Sequence, residues 1–112
     1  MVFHVIEDDP AVADALVVML REFGHEAAAY PDAESFLATG MPLSADTVVV
    51  DLLLPGMSGA DLVRELHNGG STARIIIITG QAQTRLEQQI SGLGVRHLIR
   101  KPVEADALRD LI

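Results

Sequence analysis

The sequence predicts an α/β fold built on one parallel sheet, and three features carry that prediction. Short apolar runs alternate with amphipathic stretches of helical spacing along the whole chain. The runs Thr47-Val48-Val49-Val50 and Ile75-Ile76-Ile77-Ile78 are continuous, as strands covered on both faces are. Polar residues gather where the runs end, the edge at which open parallel sheets carry their sites. Helices then lie on both faces, joined to the strands by right-handed crossovers.

Each element has its own signal. Val2 to Ile6 reads as a buried strand stopping at Glu7-Asp8-Asp9-Pro10. Asp9 suits an N-cap and Pro10 a first helical position, after which Val12, Leu16, Met19, Leu20 and Phe23 recur at helical spacing until Gly24. His25 to Tyr30 is an alanine-rich second strand, and Asp32 caps a short helix whose inner face is Phe36 and Leu37. Thr47 to Asp51 is the third strand. Pro55-Gly56-Met57-Ser58-Gly59 is a turn with a capping serine, leading into a helix with Leu62, Val63 and Leu66 inward. Asn68-Gly69-Gly70 ends it before the fourth strand, Arg74 to Thr79. The stretch from Ala82 to Ser91 predicts a marginal, Gln-rich helix with only Leu86 and Ile90 inward, a candidate for mobility. Val95 to Ile99 is the fifth strand, and Val103, Ala107, Leu108 and Leu111 outline a last helix. That helix is short against a mean of roughly 11 to 12 residues, so truncation at Ile112 is expected.

Composition narrows the function classes. The chain has 112 residues, 49% of them hydrophobic, which suits one domain spanning 1–112. Its net charge of -8 argues against the basic surface that nucleic-acid binding needs. No apolar run approaches the ~20 residues of a membrane span. The start of the chain lacks signal-peptide features and there is no cysteine, so a cytoplasmic location is expected. The four histidines, His4, His25, His67 and His97, lack metal-ligand spacing and read as structural or solvated.

The strand ends hold the chemistry. Glu7 and Asp8 follow strand one, Asp51 ends strand three, Thr79 ends strand four and Lys101 follows strand five. Acids converging on one sheet edge repel unless a cation sits among them, and Mg2+ prefers one or two carboxylates plus phosphate oxygens. With a lysine and a hydroxyl added, the set describes a phosphoryl site with an attacking carboxylate.

The blocks Glu7-Asp8-Asp9-Pro10, Asp51 to Gly59, Thr79-Gly80 and Lys101-Pro102 resemble, in order and spacing, the four signature regions of two-component response-regulator receiver domains. The resemblance implies a flavodoxin-like three-layer sandwich with a five-stranded sheet in the order 2-1-3-4-5. It implies that Asp51 is the phosphoacceptor, with Mg2+ held by Asp8, Asp51, the Leu53 carbonyl and, through water, Glu7. Thr79 would track the phosphoryl group and Lys101 would pair with it. The donor would be a histidine kinase or phosphotransfer protein docking beside the first helix. A homodimer through the face of the predicted fourth and fifth helices is a further expectation. The only activities implied are self-phosphorylation and autodephosphorylation, with Leu53 and Gln81 flanking the path of water. Any output domain would lie outside this segment. Two positions depart from the family: Glu7 stands where aspartate is usual, and Leu98 where the switch aromatic is usual.

Three other classes fit less well. A haloacid-dehalogenase phosphatase needs a second aspartate two residues after the nucleophile, where Leu53 stands. An FMN carrier needs a phosphate-binding loop after strand one, where the acids would repel the ligand. A receiver-like interaction module that is never phosphorylated is the runner-up, suggested by Glu7 and Leu98.

Overall fold

Five strands, β1 (Val2–Ile6), β2 (Glu26–Tyr30), β3 (Thr47–Asp51), β4 (Arg74–Thr79) and β5 (His97–Arg100), pair in parallel in the order β2-β1-β3-β4-β5. They belong to a computed structural model that describes residues 1–80, 90, 92–94 and 97–112. The helices among these residues are α1 (Pro10–Glu22), α2 (Ala33–Leu37), α3 (Gly59–Asn68) and α4 (Ala105–Leu111).

Pleating sorts the apolar runs into two cores. Phe3, Val5, Val49, Ile76 and Ile78 pack under α1 and α4, against Leu16, Val17, Leu20 and Leu108. Ile6, Val48, Val50, Ile75 and Ile77 face the other way, against Phe36 of α2 and Leu62, Val63 and Leu66 of α3. Successive side chains of a strand point to opposite faces, so only a strand apolar at every position can serve both cores. The three-layer sandwich with strand order 2-1-3-4-5 is as expected.

Several details differ from the sequence reading. In α1 the buried stripe is Ala13, Leu16, Val17 and Leu20, while Val12, Met19 and Phe23 flank it half-buried. Ala107, expected inward, is exposed, and Val103 precedes the last helix, which presents only Leu108 fully to the core. The fifth strand runs to Arg100, and its expected first residues, Val95 and Arg96, lie outside the described residues. So do Gln81 and, but for Ile90, the helix expected from Ala82 to Ser91, and with it part of the expected dimer face.

Candidate functional site

The register of the central strands brings their carboxyl ends together. Ile6 pairs with Val50, Asp51 with Ile78, and Thr79 with Arg100, so the residues just beyond β1 and β5 meet the last residue of β3. Asp9 caps α1 through an Ala11 N–H bond of 3.0 Å, which turns the chain sharply after Glu7 and Asp8. The Lys101 amide donates to the Thr79 carbonyl at 2.8 Å, tying the exit of β5 to the end of β4. The Lys101–Pro102 peptide that follows is cis.

Lys101 joins the acids. Its Nζ lies 2.7 Å from Asp51 Oδ2 and 2.9 Å from Glu7 Oε2, and both acids are buried. The other oxygen of each carboxylate accepts a backbone amide, Asp51 Oδ1 from Leu53 at 3.0 Å and Glu7 Oε1 from Asp9 at 3.1 Å. Burial, with a smaller contribution from the Asp51 charge, pushes the Glu7 carboxyl above its ordinary range despite Lys101. Burial alone would lower the Lys101 ammonium, but its bonds to Asp51 and Glu7 outweigh it and hold the group above its ordinary value.

Asp8 is exposed at the mouth, and Glu7, Asp8 and Asp51 each offer an oxygen within 4.8 Å of the other two. Among the described residues the Lys101 ammonium is the partner of the buried Glu7 Oε2. Three carboxylates converging within 4.8 Å carry more negative charge than the single Lys101 ammonium among them offsets, which fits a small hard cation with bound water.

The loop after Asp51 is braced from below. The backbone at Gly59 sits so close to the chain that a Cβ there would run into the Asp51 carbonyl oxygen. Gly59, expected as turn chemistry that holds the Asp51 loop, opens α3 and meets that loop by close approach. Gly56 is the left-handed residue of the turn, at φ 70°. Ser58 caps α3 through the Asp61 amide at 3.1 Å, as expected. Glu34, which sequence reasoning passed over, accepts the Met57 amide at 3.3 Å from the start of α2. Asp46 was also missed. Its carboxylate accepts Val2 N–H at 2.9 Å and Leu43 N–H at 3.1 Å and meets His4 Nε2 at 3.0 Å, while His4 Nδ1 meets the Tyr30 hydroxyl at 3.1 Å.

Comparison with known proteins decides the family, because residues 3–112 match the response regulator receiver domain. The chain belongs to that family. Among relatives of this receiver, the transcriptional regulatory protein FixJ of Azorhizobium caulinodans is 33% identical over 105 residues, which are 94% of this chain and 50% of that protein. The two-component response regulator PhoP of Pseudomonas aeruginosa is 38% identical over 106 residues, 93% of this chain and 46% of that one. The receiver thus spans about half the length of the curated relatives it matches. Among solved structures, the response regulator StyR superposes with a TM-score of 0.88 at 30% identity, over 99% of this chain and 56% of that one. The chemotaxis protein CheY4 of Vibrio cholerae, at 18% identity and TM-score 0.87 over 98% of this chain and 93% of its own, shares the fold.

Leu98, where the family's usual aromatic is absent, is half-buried against the core under α2 and α3. An apolar cavity of about 500 Å³ opens between α1 and the segment after β5, walled by Ala11, Val12, Ala15, Leu16, Met19, Lys101, Pro102 and Val103. Among the described residues no helix is long and apolar enough to cross a membrane.

Proposed function

We propose that this receiver takes a phosphoryl group on Asp51 from a histidine of a sensor kinase or phosphotransfer protein, and that Thr79 and Lys101 convert the modification into a signal. The observation that carries the reading is the buried Asp51 carboxylate, ion-paired with Lys101 and flanked by Glu7 and Asp8. An Asp51 oxygen attacks phosphorus, the phosphorus–nitrogen bond breaks, and the imidazole nitrogen keeps the electron pair. The Leu53 amide holds one carboxylate oxygen in place, and Lys101, on its flexible stem, follows the charge from the carboxylate to the phosphoryl oxygens. Thr79, buried at the end of β4, supplies a hydroxyl for one of those oxygens. Mg2+ held by Asp8, Asp51, the Leu53 carbonyl and, through water, Glu7 would neutralise charge on the transferring group. The apolar cavity beside α1 adjoins Lys101 and suits the helix bearing the donor histidine.

The test is incubation with acetyl phosphate and Mg2+ followed by intact mass. One added phosphoryl group on the parent, and none on Asp51→Asn, is expected. Lack of an adduct on the parent across metal and pH conditions would favour a docking module that is never phosphorylated, the reading to which Leu98 lends itself.

A further inference from the structure

At the opposite edge of the sheet a second polar cavity of about 320 Å³ is walled by His67, Thr72, Arg74 and His97, with Ala73, Ile75 and Gly94 completing it. His67 stands in the last turn of α3, Arg74 opens β4 and His97 opens β5. None of these three side chains makes a hydrogen bond or ion pair with the described residues, although the chain carries a net charge of -8 and acids outnumber bases 16 to 8. In so acidic a chain, a half-buried guanidinium, two imidazoles and a hydroxyl stand around one hollow, the three basic groups unpaired among the described residues. Arg74 supplies a planar fork of donors suited to two oxygens of one ligand, and the imidazoles and Thr72 add single donors around it. Among the described residues no carboxylate lines the cavity to compete for them.

We propose that this cavity binds a tetrahedral oxyanion of the phosphate class, either free or carried as a phosphoryl group on a larger molecule. It is separate from the Asp51 site: Arg74 and Thr79 are the two ends of β4, and five strand steps of ~3.3 Å put them roughly 16 Å apart. Binding here would report on a second anion without touching the phosphoacceptor.

The experiment is a titration of the metal-free, 15N-labelled full chain with inorganic phosphate and, separately, phenyl phosphate, followed by amide shifts. Saturable shifts centred on His67, Thr72 to Ile75 and His97 are expected, weakened about tenfold or more in Arg74→Gln and in His67→Gln. The exposed His67 makes the second variant safe for folding, and unchanged dispersion of the remaining amides verifies both. Equal affinity for the two probes assigns the site to the oxyanion alone, and tighter phenyl phosphate assigns it to a carried phosphoryl group. Shifts absent from these residues, or unaltered by both substitutions, overturn the proposal.

Discussion

Asp51 has one carboxylate oxygen on a lysine and the other on its own loop, so a change of a single atom can alter the first contact and spare the second. Asp51→Asn keeps the volume and the Leu53 bond, and is expected to abolish labelling by acetyl phosphate while circular dichroism stays unchanged. Asp8→Asn removes an exposed anionic oxygen from a site with few protein ligands. Magnesium affinity by calorimetry is expected to fall at least about tenfold, the equivalent of ~1.4 kcal/mol, and the metal-free midpoint in EDTA should not fall. Leu53 is a large apolar side chain, 59% exposed beside Asp51, able to shield a phosphoryl group there but unable to orient water. Decay of the phosphorylated protein should therefore be slow in the parent and several-fold faster in Leu53→Asn, where ~1.4 kcal/mol off the barrier would already be tenfold. Equal decay rates would locate water access elsewhere.

The elements divide by how local their causes are. β3 and β4 were legible because two-sided burial leaves continuous apolar runs, and α3 because Leu62, Val63 and Leu66 hold the helical period. The strand-end acids and Lys101 were legible for the same reason, since each sits where such a run stops. Asp46 and Glu34 were not, because their meaning lies in partners 44 and 23 residues distant. Ala107 misled because alanine carries too little surface to declare which way it faces. Burial alone would raise the Asp46 carboxyl, but His4, Val2 and Leu43 outweigh it and hold the group below its ordinary 3.8. A carboxyl so depressed contributes stability above its unfolded value and loses it as pH falls through the folded one. Asp46→Asn leaves Val2 N–H or Leu43 N–H without its acceptor and removes the charge facing His4, so it is expected to cost about 1 kcal/mol at pH 7 in urea unfolding. The gap to the parent should narrow below about pH 4. A gap of constant size across that range would mean that the charge of Asp46 is irrelevant.

At the scale of the molecule, one sheet presents two unlike edges. The carboxyl edge gathers acids around one ammonium, and the amino edge of β4 and β5 gathers Arg74 and His97. The two cores meet across the central strands, so the Asp51 loop rests on residues committed to both faces. Gly59 is where α3 comes close against the backbone of Asp51 and Leu52. Gly59→Ala is expected to destabilise by roughly 2–4 kcal/mol and to slow labelling as well, since the Asp51 carbonyl must retreat to make room. Thermal unfolding and labelling rate, measured on the same sample, should move together.

The lysine bridging Glu7 and Asp51 also makes the resting site a competition between cations. Its ammonium occupies oxygens that a divalent ion would claim, so a metal entering there would have to displace a tethered rival whose local concentration never falls. Dilution cannot remove that rival, but substitution can. Lys101→Met should consequently bind magnesium several-fold more tightly than the parent while accepting the phosphoryl group more slowly. Affinity and chemistry would part company in one variant, because the charge that would hinder the metal at rest is the charge proposed to steady the phosphoryl oxygens.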